Sequence, residues 1–452
     1  MFVLHGCAYR TALRDKDNMK KVIIILLTIF YAASSFALES VDLEPGLSLE
    51  ECLTIALTNH PSLRKSKGAT RAAVALLEQT KAANRVKVNL TGRTTFAGDY
   101  DYWDTHSTTQ NIGINVTKTL YDTGVNRLNR EIRAENIKSV QESERQAQIT
   151  VAAEAKRAYY DLVLKILNRD VEQEKLRNLE EHLRTAKGIY DVGNSSYIEV
   201  TKAEADLSSA RVSLLTAENN ILTSQESLKV AMGVTDFDIV NLTLATELFL
   251  PSPAGEIEDL LAIAMADRSD YRKMMSTLKQ DELNIKVTAR GNAATITGSI
   301  GTDYTKREGQ SATTDYNAAI NVTIPVADGG LTKAQVEQAR AQLDQDLAEE
   351  ESLRHTITKE LRSSALTLTN AIDRVRSAEA SVRYAEENLT LAQGRYEVGV
   401  GNMLEVSDAV SSLASSRYTF YQALYDAQVA RTNLDEAMGH LPPEIDFNVS
   451  IE

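Results

Sequence analysis

Residues 331–393 read LTKAQVEQARAQLDQDLAEEESLRHTITKELRSSALTLTNAIDRVRSAEASVRYAEENLTLAQ, 63 positions without glycine or proline. Ala, Leu, Glu, Gln, Arg and Lys dominate, and all of them favour helix. Apolar or alanine side chains recur at Ile357, Leu361, Ala365, Leu368, Ile372, Val375, Ala378, Val382, Ala385 and Leu389. Every step is three or four residues, which marks one face of an α-helix. At 1.5 Å per residue the helix would be roughly 95 Å long. A compact domain cannot bury such a rod, so the pattern predicts that it lies along neighbouring helices as a coiled coil. The alanines on the face predict close backbone approach.

The same stretch exists twice. Val125 to Lys187 is another run of 63 residues free of Gly and Pro. Residues 49–63, LEECLTIALTNHPSL, resemble 257–271, IEDLLAIAMADRSDY; residues 114–125, INVTKTLYDTGV, resemble 320–331, INVTIPVADGGL. Residues 186–200, AKGIYDVGNSSYIEV, resemble 392–406, AQGRYEVGVGNMLEV, and SLKVAMG at 227–233 resembles NLDEAMG at 433–439. The offset is 208 at the first match and 206 at the other three. A duplication with a two-residue difference at a loop tip accounts for all four. Cys52 then aligns with Leu260, an apolar helix position, which makes it a small core residue rather than a reactive thiol.

Each unit divides the same way. Asp122-Thr123-Gly124 and Asp328-Gly329-Gly330 offer an acceptor to the free N–H groups that open a helix. The long helices end at glycine-bearing turns, Gly188 to Gly193 and Gly394 to Gly401, and a second helical run follows each, Asn194 to Met232 and Asn402 to Met438. Each unit therefore ends in a long antiparallel helical hairpin. Before it lie two candidate strands, about 86–97 and 109–120 in the first unit and about 293–304 and 315–325 in the second. Apolar and polar residues alternate at Val86, Val88, Leu90, at Ile112, Ile114, Val116, and at Tyr316, Ala318, Ile320, Val322, Ile324. Period two with one apolar face is the membrane-barrel pattern, and a soluble hairpin produces it too. The loops around Tyr100, Tyr102, Trp103 and from Tyr304 to Ala312 place aromatics at the strand ends. Four strands cannot close a barrel, and an open edge is excluded from lipid. A barrel must be shared between chains. Eight strands fill with side chains, whereas a pore needs more, so a conducting barrel points to at least a trimer.

The N-terminus reads as an export signal. Met19-Lys20-Lys21 precedes the apolar run Val22 to Tyr31, and Ser35-Phe36-Ala37 offers a cleavage site after Ala37. Residues 1–18 carry no signal character, so Met19 is the expected start. The run is shorter than the ~20 residues of a spanning helix. Residues 1–37 hold five basic and two acidic residues, and their removal takes the formal charge from −14 to −17. Such an acidic chain is no general nucleic-acid binder, which needs a basic face. Two cysteines exclude a disulfide scaffold. The expected division is a signal at 1–37, a first unit at 38–233, a linker at 234–255, a second unit at 256–441 and a tail at 442–452.

Catalytic chemistry finds no support. There is no Gly-x-Ser-x-Gly, Gly399-Val400-Gly401 lacks a third Gly at Leu404, and the six His residues form no metal-binding spacing. Asp99, Asp101 and Asp104 share an expected outer loop, where a solvated tip is the simpler reading than a Ca²⁺ site. No catalytic residue, metal or cofactor is expected.

From about Leu47 to Leu441 the leader, the duplicated strand–strand–hairpin unit and the paired tips resemble the TolC family of outer-membrane efflux proteins. The most specific part runs from Arg395-Tyr396-Glu397-Val398-Gly399 through Leu404-Glu405-Val406. The resemblance implies a mainly α homotrimer in which three chains share a twelve-stranded barrel in outer-membrane lipid and a helical tunnel crosses the periplasm. It implies a passive, non-enzymatic conduit of a tripartite efflux or type I secretion system. Its partners would be a periplasmic adaptor (membrane fusion) protein and an inner-membrane pump or ABC transporter. It places Glu405, Asp408 and Glu199 as acids at the periplasmic constriction, Tyr396 among the residues that hold it shut, and Val192-Gly193 and Val398-Gly399 at the adaptor-contacting tips. Two departures stand out. Gly401 replaces an arginine of the family's closed form, and Asn194 replaces a common leucine of the adaptor motif. Independently of the resemblance, three symmetric carboxylates around a narrow axis attract cations. The rival reading is a periplasmic coiled-coil spacer or adhesin stalk, which has no need of amphipathic strands.

Overall fold

The structure, a computed structural model, describes residues 47–99, 102–193, 196–235 and 248–440. The expected signal, the tail at 442–452 and Asn194 lie outside these residues. The first unit contains α1 (Leu49–Asn59), α2 (Pro61–Ala83), β1 (Lys87–Asp99), β2 (Tyr102–Tyr121), α3 (Val125–Asp191) and α4 (Tyr197–Met232). The second contains α5 (Ile257–Asp267), α6 (Ser269–Thr288), β3 (Thr295–Arg307), β4 (Thr313–Thr323), α7 (Leu331–Glu397) and α8 (Met403–Met438).

Both α3 and α7 contain 67 residues, which makes each roughly 100 Å long. Each starts at a glycine with positive φ, +80° at Gly124 and +90° at Gly330. The capping acceptor stands two residues earlier. Asp122 accepts the N–H groups of Gly124 at 3.0 Å and Asn126 at 2.8 Å; Asp328 accepts those of Gly330 at 3.0 Å and Thr332 at 2.7 Å. Hydrogen bonds from the Thr332 hydroxyl and backbone hold the Asp328 carboxyl well below the usual carboxylate range. The far ends differ slightly from the sequence expectation. Gly188 and Gly394 lie inside the last turns of α3 and α7, because neither needs a positive φ there; the left-handed residues are Gly193 and Gly399. Nine of the ten face positions from Ile357 to Leu389 are buried, and Val382 is half-buried.

The shorter helices complete the rods end to end. α4 and α8 each contain 36 residues and close on glycines in the left-handed region, Gly233 at φ +71° and Gly439 at +76°. A Cβ on Gly233 would stand 2.6 Å from the Cα of His60, the residue before α2, and one on Gly439 would stand 2.8 Å from the Cα of Arg268, before α6. So α4 abuts α2 and α8 abuts α6, and each composite rod flanks a long helix. α3 packs along α4 and α8 on one half and α2 and α6 on the other; α7 packs along α8 and α6. The largest fully buried side chains cluster where the halves meet, among them Leu53, Ile149, Tyr159, Tyr160, Leu162, Leu228 and Met232. Cys52 is buried here too, and burial, then the nearby Glu51, pushes its thiol up to about 12.

The strands form one antiparallel sheet in the order β1-β2-β3-β4. Lys87 pairs with Thr117 and Thr295 with Thr323, offsets of 208 and 206 between equivalent partners, so the two-residue difference falls inside the β-hairpin. β2 starts earlier than expected, at Tyr102, and pairs back to β1 across a bulge at Gly98/Asp99. Tyr102, Trp103 and Asp104 therefore lie on a strand, as does Tyr304 on β3. Asp101 and Tyr100 lie outside the described residues. The alternation fades in this part of β2, which hid it from a period-two search.

Residues paired across the ladders share a face. One face carries Val88, Leu90, Phe96, Ile112, Ile114, Val116, Ile296, Ile300, Tyr304, Tyr316, Ile320 and Val322. Apart from the half-buried Val116 and Ile296, these groups are left uncovered; Phe96 is 80% and Tyr316 85% exposed. The other face carries Lys87, Asn89, Arg93, Asn111, Asn115, Asp303, Asp315, Asn317 and Asn321. Here Asn111 donates to Thr305 Oγ1 at 3.0 Å, and a Cβ on Gly301 would stand 2.5 Å from Asn317 Oδ1, so glycine leaves room for a polar side chain laid across the strand. β1 and β4 are each paired on one side only.

Candidate functional site: the helical tips

The α3–α4 and α7–α8 turns lie at the end of the rods away from the sheet. Both turns are built alike. Val192 and Val398 end their helices and are exposed, and Gly193 and Gly399 follow at φ +81° and +76°. That left-handed step is why glycine stands there. The Arg395 carbonyl accepts the N–H groups of Val400 at 3.0 Å and Gly401 at 2.9 Å. A Cβ on Gly401 would meet three Arg395 and Tyr396 atoms at 3.0 Å, so this turn is packed too closely for a long side chain without adjustment. Asn402 caps α8 by accepting the Glu405 N–H at 3.0 Å.

Glu405 and Asp408 sit one turn apart at the start of α8, both exposed. The Glu405 carboxylate lies 3.5 Å from Arg395 Nε, an open surface pair worth at most about 1 kcal/mol. Glu199 occupies the first turn of α4. Tyr396 closes α7; its hydroxyl contacts Met403 Sδ at 3.4 Å, and burial, then Glu199, raises its pKa. The tip thus brings Tyr396 and Glu199 together, while Glu405 and Asp408 occupy an open face of their own helix.

The two hairpins are joined by an apolar seam of Ala186, Val200, Ala203 and Met403, with Leu183 and Tyr396 against it. Ser407 donates to Asp206 Oδ2 at 2.9 Å, tying α8 to α4. Farther from the tip, Arg417 bridges Glu174 of α3 and Glu386 of α7, and Tyr418 donates to the buried Glu172 at 2.6 Å. The sequence reading did not single out His182, which lies in the seam at 6% exposure, its ring centroid 5.8 Å from that of Tyr396. A comparison of the repeats carries a signal for it, because Asn388 stands at the equivalent position.

No three His, Cys, Asp or Glu side chains among the described residues are placed to hold a metal ion. No helix among them is long and apolar enough to cross a membrane.

The model of the outer membrane efflux protein family matches residues 52–234 and 267–440. The outer membrane protein TolC of Escherichia coli K12 is 22% identical over 441 residues, 94% of this chain and 87% of that protein. TolC of Vibrio cholerae serotype O1 is 24% identical over 284 residues, 60% of this chain and 64% of that one. Among solved structures, the open state of the Neisseria gonorrhoeae MtrE outer membrane channel superposes with a TM-score of 0.74 at 19% identity, covering 87% of this chain and 89% of that one. With the family match extending over both repeats, the chain belongs to the outer membrane efflux protein family.

Proposed function

We propose that three copies of this chain close into one duct, the outer-membrane channel of a tripartite efflux or type I secretion system. The observation that carries this reading is the two-faced sheet with unpaired edges at one end of ~100 Å helices. A sheet whose outer face is apolar and inner face polar suits a barrel wall, and its free edges call for pairing with other copies. Three sets of four strands give twelve.

The helices support the same assembly. Within the chain, α3 packs against α8. The duplication makes α7 and α4 their equivalents, and both bear uncovered apolar groups: Leu366 and Leu391 on α7, Val212, Leu215 and Leu222 on α4. Leu366 stands where Tyr160 is buried in α3, and Leu222 where Gln428 is buried in α8. An α7–α4 joint between neighbouring copies repeats the internal one and closes a ring.

In this duct Glu405 and Asp408, with Glu199, form the acidic constriction, and Tyr396 helps to hold it shut. Val192, Gly193, Val398 and Gly399 present the surface for a periplasmic adaptor, behind which stands an inner-membrane pump or ABC transporter. Gly401, packed on the Arg395 backbone, replaces any arginine latch at that position. The chain itself has no catalytic role; the partners supply the energy. The deciding experiment is particle mass and shape of detergent-extracted protein by light scattering and negative-stain microscopy. A trimeric cylinder well over ~100 Å long is expected. A monomer, or a thin rod extracted without detergent, would replace the duct with a periplasmic spacer or stalk.

A further inference from the structure

His182 sits on α3 where the two hairpins of one chain meet. It is 94% removed from solvent, and its Nε2 has no hydrogen-bond partner. The backbone of Met403, the first residue of α8, lies against the ring and favours its charged form. Tyr396 of α7, which packs against Ala186, Val200 and Ala203, faces the ring at a tilt of 57°. The charged groups that face it all come from α4: Asp206 and Glu199, which favour an imidazolium, and Lys202, which disfavours it. Among the described residues, α7 brings the neutral Tyr396 phenol to the ring and α8 the Met403 backbone. Asp206 already accepts from Ser407. A buried ring nitrogen without a partner is an unusual thing to keep in a seam, since a neutral side chain would fill the same space without loss.

We propose that His182 is a proton-responsive wedge in the joint between a chain's two helical hairpins, keeping the tip packed while neutral and loosening it when protonated. This rests on the duct reading for its consequence, the opening of the periplasmic entrance. Protonation puts a charge and a second N–H into a seam that offers no acceptor at Nε2. Burial outweighs Asp206 and Glu199 and holds the pKa below the ordinary 6.5, so the loosened joint takes up the proton first. The packed joint therefore has its full stability above that value and loses stability as pH falls below it. One unit of difference between the two states changes their ratio about tenfold for each joint.

The duplication sharpens the inference. The position equivalent to His182 is Asn388, the one equivalent to Tyr396 is Tyr190, and the one equivalent to Met403 is Tyr197. Tyr190 and Tyr197 pair with each other, ring centroids 5.6 Å apart. A joint between neighbouring copies thus uses Asn388 and has no imidazole. Acid acts on the three joints inside the chains and spares the three between them, so the ring of copies holds while each pair of hairpins parts.

The test uses the full trimer and His182→Asn, which installs the residue of the equivalent joint. Hydrogen exchange of the segment 396–405 is compared at about pH 7.5 and pH 5.5 after correction for intrinsic rates, alongside single-channel recordings in planar bilayers. In the unsubstituted protein we expect protection of the segment to fall, and the open fraction to rise, at least about threefold. H182N should hold both flat over that range, and His355→Asn, at an exposed site on α7, should behave as the parent. An identical acid response in H182N, or none in the parent, overturns the proposal. Should H182N fail to assemble, NMR titration of the labelled parent decides: a His182 resonance titrating at or above 6.5 sinks it. A trimer that never conducts at either pH counts against the duct, while the exchange data still judge the joint.

Discussion

Replacing Gly439 by Ala tests how the rods are assembled. Gly439 has φ +76°, a region that costs a non-glycine residue roughly 1–2 kcal/mol. Gly399 has the same φ of +76°, and a Cβ placed there would have nothing within 4 Å, so Gly399→Ala carries that backbone cost alone. At Gly439 the new methyl would meet Arg268 Cα at 2.8 Å and Arg268 N at 3.0 Å, backbone atoms that cannot swing aside. Arg268 is itself anchored, donating to Asp270 at 2.6 Å, Glu360 at 2.7 Å and the Ala437 carbonyl at 3.1 Å. Forcing α8 away from α6 adds overpacking of about 1–3 kcal/mol. G439A should therefore lose about 2–5 kcal/mol in total, roughly twice the loss of G399A. The assay is chemical unfolding of the detergent-extracted protein followed by far-UV circular dichroism, with both variants compared to the parent. Equal losses in G439A and G399A would refute end-to-end stacking of α8 on α6.

Glu405→Ala with Asp408→Ala should weaken cation preference and block by multivalent cations in a planar bilayer; unchanged selectivity would remove both from the pore. Asp281 of α6 faces Asp346 of α7, and burial, then that carboxylate, pushes it up to about 6 from 3.8. A raised carboxyl pKa withdraws stability as pH rises from about 4 through 6. Asp281→Ala, matching Ala73 of the first repeat, should gain on the order of 1 kcal/mol at pH 7.5 after allowance for solvent screening, and nothing near pH 3.5. A gain of the same size at both values would mean packing, not ionisation, is the cause. Leu366→Asp should yield monomers in sizing chromatography if α7 meets a second copy, and an intact trimer would place that joint elsewhere.

Much of this molecule is written in local patterns. A run of 63 residues without a helix breaker, with apolar groups every three or four positions, leaves little choice but a rod. Alternation at Ile112, Ile114 and Val116 indicates a two-faced strand, and repetition of both patterns identifies the duplicated unit. The tip glycines were legible for the same reason: Gly193 and Gly399 end rods in both copies. His182 was not. In the run Glu181-His182-Leu183-Arg184 it looks like any surface histidine of a helix, and nothing nearby in sequence says that Tyr396 and Met403, more than 200 positions away, cover it.

Consecutive residues alone thus specify the elements, their lengths and their doubling, because helix and strand periodicity are local properties of a chain. Packing in three dimensions was needed to show that α3 lies against α8, that Gly233 and Gly439 butt onto His60 and Arg268, and that the seam at the tip closes over an imidazole. Those outcomes depend on which alanine faces can approach most closely and which side chains then lose their water. That competition is settled between residues far apart in the chain, and no local period records it.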